Sequence, residues 1–194
     1  MSRFWQSFNT RYNVYFNASQ AYIEGDKAKE NIHKDDYTKM LPVFLVGNKA
    51  SQNTGKGNYE TAITKCQKAI SLHSIKRRPV VNAGKQKNAK TKAYLQRKEY
   101  NPFLKNAWLM MGRAQFQKGD FLEAAATFSY ITRLYAAEPV VANEARQWMA
   151  RCYVLEKWYY DADDALKRMR RDTMNTRTKH EADATQAALL LGQE

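Results

Sequence analysis

The chain has 194 residues and a mass of 22.5 kDa, is 44% hydrophobic and 26% charged, and carries 32 Lys and Arg against 19 Asp and Glu for a formal net charge of +13. These figures exclude a disulfide miniprotein, a collagen-like chain and a charged disordered tail. With 12 Tyr, 8 Phe and 4 Trp the chain can build a sizeable core, whereas 8 Gly and 4 Pro are too few for the frequent turns of an all-β domain, so helices are expected.

The first residues, Met1-Ser2-Arg3-Phe4-Trp5-Gln6-Ser7, show no basic segment followed by an apolar core and a cleavage site. Either the protein is cytoplasmic or a leader precedes this sequence. No run approaches the roughly 20 apolar residues that span a bilayer. Tyr12 to Asp26 reads as a first helix ending at Gly25-Asp26, and Lys27 to Phe44, with Ile32, Tyr37, Met40 and Leu41, suggests another helix stopped near Pro42. Gly47 to Gly57 is polar and without periodicity, which predicts a loop. Gly57 to Ala62, continuing through Cys66 and Ala69, predicts a helix.

Lys76 to Lys98 follows as a basic connector with Lys76, Arg77, Arg78, Lys85, Lys87, Lys90, Lys92, Arg97 and Lys98 and no acidic residue. Asn106 to Phe128 then places large and small apolar residues at helical spacing on both sides of Gly119-Asp120, the pattern of a helical hairpin. The layout recurs downstream: Gly112 and Ala150, Gly119 and Lys157, and Ala124 and Ala162 are separated by one and the same interval. One offset held by three pairs argues for duplication, with small residues letting antiparallel helices approach while Trp108, Phe116, Phe121, Phe128, Trp148 and Tyr153 fill the flanks. Glu181 to Glu194 begins a further helix with Ala184, Ala187, Ala188, Leu190 and Leu191, which reads as a fragment of a longer array.

Trp108-x2-Met111-Gly112, Gly119-Asp120-Phe121, Ala124-x3-Phe128 and Pro139 resemble the tetratricopeptide repeat, and the second copy carries Arg146, Ala150 and Leu166 at the corresponding Trp, Gly and Phe positions. The resemblance implies an all-α, right-handed solenoid of helical hairpins, with an atypical N-terminal unit over residues 1–75, the basic connector over 76–102 and repeats over 103–194. The order Tyr12-Asn13-Val14-Tyr15-Phe16-Asn17-Ala18, Tyr37 to Phe44, Lys68 to Ser74, Lys98 to Asn101 and Ala107 to Gly112 also resembles the N-terminal repeat region of lipoproteins of gliding motility and type IX secretion. That likeness implies a periplasmic or outer-membrane-associated scaffold, with membrane attachment through an anchor outside this sequence.

No catalytic constellation is found, so a non-catalytic role without cofactor is expected. Gly47 stands too far from Gly55-Lys56-Gly57 for a phosphate loop, and His33, His73 and His180 lack metal-ligand spacing with Cys66 and Cys152, which are expected to be buried thiols. The carboxylates Asp35-Asp36 and Asp161, Asp163 and Asp164 read as solvated helix charge. By the repeat resemblance, the concave face that would take a partner segment is formed by Asn106, Leu109, Arg113, Phe116 and Gln117 and by Glu144, Gln147, Arg151, Val154 and Leu155. Arg113 and Arg151, related by the same offset, could fork onto carboxylates of the partner or form internal salt bridges. The alternative is a nucleic-acid or anionic-surface binder using the Lys76 to Lys98 arm and a second basic cluster of Lys167, Arg168, Arg170, Arg171, Arg177 and Lys179. Tyr94 is the single aromatic between Pro79 and Lys98, which weighs against nucleic acid.

Overall fold

The computed structural model of the chain describes residues 3–34, 37–38, 41, 43–47, 53–82, 84, 88–169 and 173–193. Among these residues the protein is all-helical and has no strand. Helix α1 (Arg3–Asn9) runs through a π-helical stretch (Thr10–Tyr15) into α2 (Phe16–Ile32), and a short 3-10 turn follows at Leu45–Gly47. Then come α3 (Lys56–His73), α4 (Ala89–Leu95), α5 (Leu104–Lys118), α6 (Phe121–Leu134), α7 (Pro139–Leu155), α8 (Tyr159–Met169) and α9 (Thr176–Gln193).

Consecutive helices pack pairwise: α2 on α3, α3 on α5, α5 on α6, α6 on α7, α7 on α8 and on α9. Two of the hairpin turns fall on a pair of positions related by the sequence offset, and they use the same backbone state. Gly119 ends α5 with φ 94°, and Lys157 follows α7 with φ 61°, the one described residue other than glycine at positive φ. Such a conformation ends a helix sharply by turning the chain back on itself. Pro139 at the first position of α7 has no N–H to leave unpaired, so it starts that helix.

The hairpins close on small residues. A Cβ at Gly112 would stand 2.7 Å from the Phe128 ring across α5 and α6, and one at Gly25 would stand 2.8 Å from the Tyr59 ring across α2 and α3. Phe128 and Tyr59 are both fully buried. The absence of a side chain thus lets an aromatic ring lie directly on the neighbouring helix backbone.

Gly25-Asp26, expected to end the first helix, lies inside α2, because Gly25 serves the seam with Tyr59 and leaves the helical hydrogen bonds intact. Among the described residues the expected separate helix over Lys27 to Phe44 is not seen: Lys27 to Ile32 complete α2, Tyr37 and Thr38 form a turn, and Asp35, Asp36, Lys39, Met40 and Pro42 lie outside the described residues.

The basic stretch is pinched at its feet. The buried Glu99 accepts hydrogen bonds from Ser74 Oγ (2.6 Å), the Ile75 N–H (2.8 Å) and the Asn101 N–H (2.8 Å), while the Tyr100 N–H donates to the Ile75 carbonyl (2.9 Å). Between these feet lies α4, capped by Asn88, whose side chain accepts from the Lys90 N–H at 2.9 Å. Lys85 and Lys87 lie outside the described residues.

Candidate functional site

The faces of α2, α5 and α7 meet in a groove of about 220 Å³ lined by Asp26, Lys29, Phe116, Gln117, Trp148 and Arg151. The chain itself enters it. Val43, Phe44, Leu45 and Val46 lie along the groove as a short irregular segment. Val46 is 2% exposed and belongs to the same apolar cluster as Leu109, Phe116 and Trp148. The Phe44 ring meets Phe116 edge-on at 6.4 Å, and the Arg151 guanidinium lies over Phe44 at 5.0 Å.

The two offset-related arginines stack on one ring, since Trp148 carries the guanidinium of Arg151 at 4.5 Å and that of Arg113 at 5.4 Å. Cations over an indole face are held by its quadrupole, more strongly where water is excluded. Their remaining contacts differ. Arg113 forms an ion pair with Glu144, whereas Arg151 donates its Nε–H to Thr185 Oγ1 at 3.3 Å and has no carboxylate within salt-bridge distance among the described residues. Burial lowers the Arg151 pKa, opposed by the attraction of the Glu181 carboxylate and assisted by the neighbouring Arg113 charge. Arg113 Nε and Trp148 Nε1 are buried with no hydrogen-bond partner among the described residues.

The α2 wall adds a polar group of three. Tyr59 donates its hydroxyl to Asp26 Oδ1 at 2.7 Å, and the Lys29 ammonium lies 4.8 Å over the Tyr59 ring and donates to the Gln117 carbonyl. Burial, partly opposed by Asp26, lowers the Lys29 pKa to about 8, and burial raises that of Asp26. A lysine 4% exposed beside a carboxyl whose ionisation is itself disfavoured is poorly compensated.

Of the residues expected on a concave face, Phe116, Gln117 and Arg151 line this groove, Arg113 stacks on its Trp148 wall, and Glu144 pairs with Arg113. Leu109, Phe116, Gln147 and Val154 are buried where open groove positions were expected. Leu109 and Phe116 are covered by Val46, Val154 packs with Leu189 of α9, and Gln147 donates its amide to Thr185 Oγ1 at 3.2 Å and Glu181 O at 3.4 Å across the α7–α9 contact. Leu155 is half-buried beside the α6–α7 core. Asn106 lies elsewhere, in a cleft with Arg11, Tyr12, Phe16 and Phe103.

The segment in the groove was missed. Its signal is the run Leu41-Pro42-Val43-Phe44-Leu45-Val46, apolar but interrupted by proline, and therefore seeking burial without forming a helix.

In the basic arm, Lys76, Arg77, Arg78, Lys90, Lys92 and Lys98 are exposed, while Arg97 is engaged with Glu138 at 3.5 Å and stacked on Tyr94 at 5.5 Å. In the second basic cluster, Lys167 and Arg168 pair with Asp163 and Asp164 one turn earlier, Arg177 pairs with Glu181, and Arg170 and Arg171 lie outside the described residues, as do Asp35 and Asp36. Cys66 and Cys152 are buried free thiols, and burial raises both pKa values, that of Cys66 to about 12. Among the described residues no group of three His, Cys, Asp or Glu could hold a metal ion, and no helix is long and apolar enough to cross a membrane. No known protein family matches the chain, and no curated protein is a detectable relative.

Proposed function

We propose that the chain is a tetratricopeptide-like solenoid segment that acts as a non-catalytic scaffold, taking an extended partner segment with an aromatic anchor and an adjacent acidic residue into the α2–α5–α7 groove. The observation that carries this reading is the placement of Val43, Phe44, Leu45 and Val46 along that groove, with Phe44 under Arg151 and against Phe116. A surface that accepts one irregular apolar segment has the shape and chemistry to accept another. Arg151, stacked on two rings and with no carboxylate in salt-bridge contact among the described residues, is the group an acidic neighbour of the anchor would meet. The match between the sequence offset and the spacing of two positive-φ turns supports the solenoid reading. The likeness to motility and type IX secretion lipoproteins makes a cell-envelope assembly the setting in which to seek the partner.

A resident segment competes at a local concentration in the millimolar range, so it must be released before binding in trans can be seen. The test uses a labelled peptide of residues 41–47 as the probe. Phe44→Ser/Val46→Ser, which weakens the resident segment, is expected to bind the peptide about tenfold or more tightly than the parent chain, by fluorescence anisotropy. Adding Arg151→Ala should remove most of that gain. A folded double variant that fails to bind the peptide overturns the proposal.

A further inference from the structure

The N-terminal helix is amphipathic in the wrong sense for a free-standing soluble surface. Its inner side carries a polar cluster ahead of Val14 and Tyr15, which pack on the core: Thr10 is fully buried, His73 Nδ1 and Gln6 Oε1 lie 2.5 Å apart, and the Asn101 amide donates to Thr10 Oγ1 (3.1 Å) and to the His73 carbonyl (2.9 Å). Its outer side is aromatic. Phe4 (76% exposed), Trp5, Phe8, Tyr12 and Phe16 face outward, and Phe4, Phe8, Tyr12 and Phe16 recur every fourth residue. The rings lean on one another, with Phe4 and Trp5 stacked on Phe8 at 6.3 and 5.9 Å and Phe8 tilted on Tyr12 at 4.7 Å.

The hydrogen bonds of the inner side also fix what stands beside this face. His73 ends α3, and three residues later the chain emerges as Lys76-Arg77-Arg78, all exposed and without an ion pair among the described residues. The aromatic face and the first foot of the basic loop therefore leave the molecule from one junction, and Arg11, exposed within the aromatic face itself, adds a further cation. Aromatic side chains settle at the boundary between headgroups and acyl chains, and each nearby Lys or Arg adds attraction to anionic lipid.

We propose that this face adsorbs in the plane of an anionic lipid bilayer, with Phe4, Trp5, Phe8 and Tyr12 in the interface and Lys76, Arg77 and Arg78 over the headgroups. Two observations select this occupant. A second copy of the chain would bring another +13 charge to the same place. Single-stranded nucleic acid needs ring faces free for base stacking, and here several are already turned onto one another. The surface is distinct from the α2–α5–α7 groove, so either assignment can fail without the other.

The probes are vesicles of phosphatidylcholine alone and vesicles in which roughly a third of the lipid is phosphatidylglycerol, read by co-sedimentation and by the tryptophan emission shift, with Trp5→Phe identifying the reporting indole. The chain is expected to bind the anionic vesicles about tenfold or more tightly than the neutral ones, and less at high salt. Phe4→Ser/Phe8→Ser/Tyr12→Ser changes exposed residues and should keep its helicity while losing about tenfold or more in anionic-vesicle binding. Lys76→Gln/Arg77→Gln/Arg78→Gln should bring anionic binding down toward the neutral level. Undiminished binding by the folded aromatic variant overturns the proposal. So does a parent chain that binds a single-stranded oligonucleotide, or itself, but neither vesicle.

Discussion

The hairpin of α2 and α3 and the hairpin of α5 and α6 use the same seam and differ in almost everything else. In both, a glycine lets a fully buried aromatic ring lie on the opposing backbone, Tyr59 on Gly25 and Phe128 on Gly112. In the second hairpin the connection is the tight turn at Gly119-Asp120, and the ring is surrounded by apolar partners, with Trp148 stacked at 6.0 Å. In the first, the chain leaves α2 at Ile32 and enters α3 at Lys56, and on the way it lays Val43, Phe44, Leu45 and Val46 along the groove. The Tyr59 hydroxyl is tied to Asp26, and Lys29 stands over its ring. The seam of the second hairpin is apolar throughout, whereas the first gives up packing uniformity to put charge and a loose apolar segment where the groove lies.

Filling the two glycine seams should separate the hairpins most. Gly112→Val would drive methyl groups into the Phe128 ring and should destabilise the fold by about 3 kcal/mol, against about 2 kcal/mol for Gly25→Val, because Trp148, stacked on Phe128 at 6.0 Å, leaves that ring less room to yield. Urea titrations monitored by circular dichroism give both numbers, and a larger loss at Gly25 would reverse the ranking. Next in size is Glu99→Ala, which leaves the Ile75 and Asn101 N–H groups without their acceptor and should lower stability by about 2 kcal/mol. Trypsin should then cut first at Lys76 to Arg78, as limited digestion followed by mass spectrometry would show.

Lys29→Met works in the other direction. The Lys29 pKa is lowered from the usual lysine range near 10.5 to about 8, so its contribution to stability is present above about pH 10.5 and is lost as pH falls through about 8. At pH 7 the buried ammonium therefore weighs against folding, and Lys29→Met should raise stability by about 1–3 kcal/mol, a gain that disappears toward pH 10.5. Thermal melts across that window measure it. The smallest effect compares the thiols: both resist a thiol reagent at pH 8 because burial suppresses the thiolate, and Cys66, in the first hairpin, should label sooner than Cys152 as urea is added below the main transition.

Most helices were legible in the sequence because their apolar spacing and their small residues agree. The second hairpin was the plainest, and the offset that relates Gly119 to Lys157 in the sequence reappears as two positive-φ turns. The first hairpin misled at one dipeptide. Gly-Asp occurs at 25–26 and at 119–120, yet Gly119 reverses the chain while Gly25 stays helical under Tyr59. A glycine needed for its backbone freedom and one needed for its missing side chain look alike until the facing ring is known.

The groove was legible in part for a similar reason. Gln117 and Arg151, named from spacing, line the groove, Arg113 stacks on its Trp148 wall, and the sequence reading allowed for the Arg113 ion pair with Glu144. It could not show that Val46 covers Leu109 and Phe116, or that α9 covers Gln147 and Val154, since those contacts come from segments distant in sequence. Asp26 and Lys29 were missed because charged residues near the end of a helix ordinarily face water.

The closure at Glu99 separates the length of the basic loop from the geometry of the bundle. Since the ends of that loop are already joined, doubling the chain between them would cost only about 0.6 kcal/mol in closure entropy. A fluorescent reporter or a whole additional domain could be grafted between Lys76 and Lys90 while α3 and α5 stay in register, and the exposed Lys76, Arg77 and Arg78 can be exchanged without disturbing the Arg97 contact with Glu138.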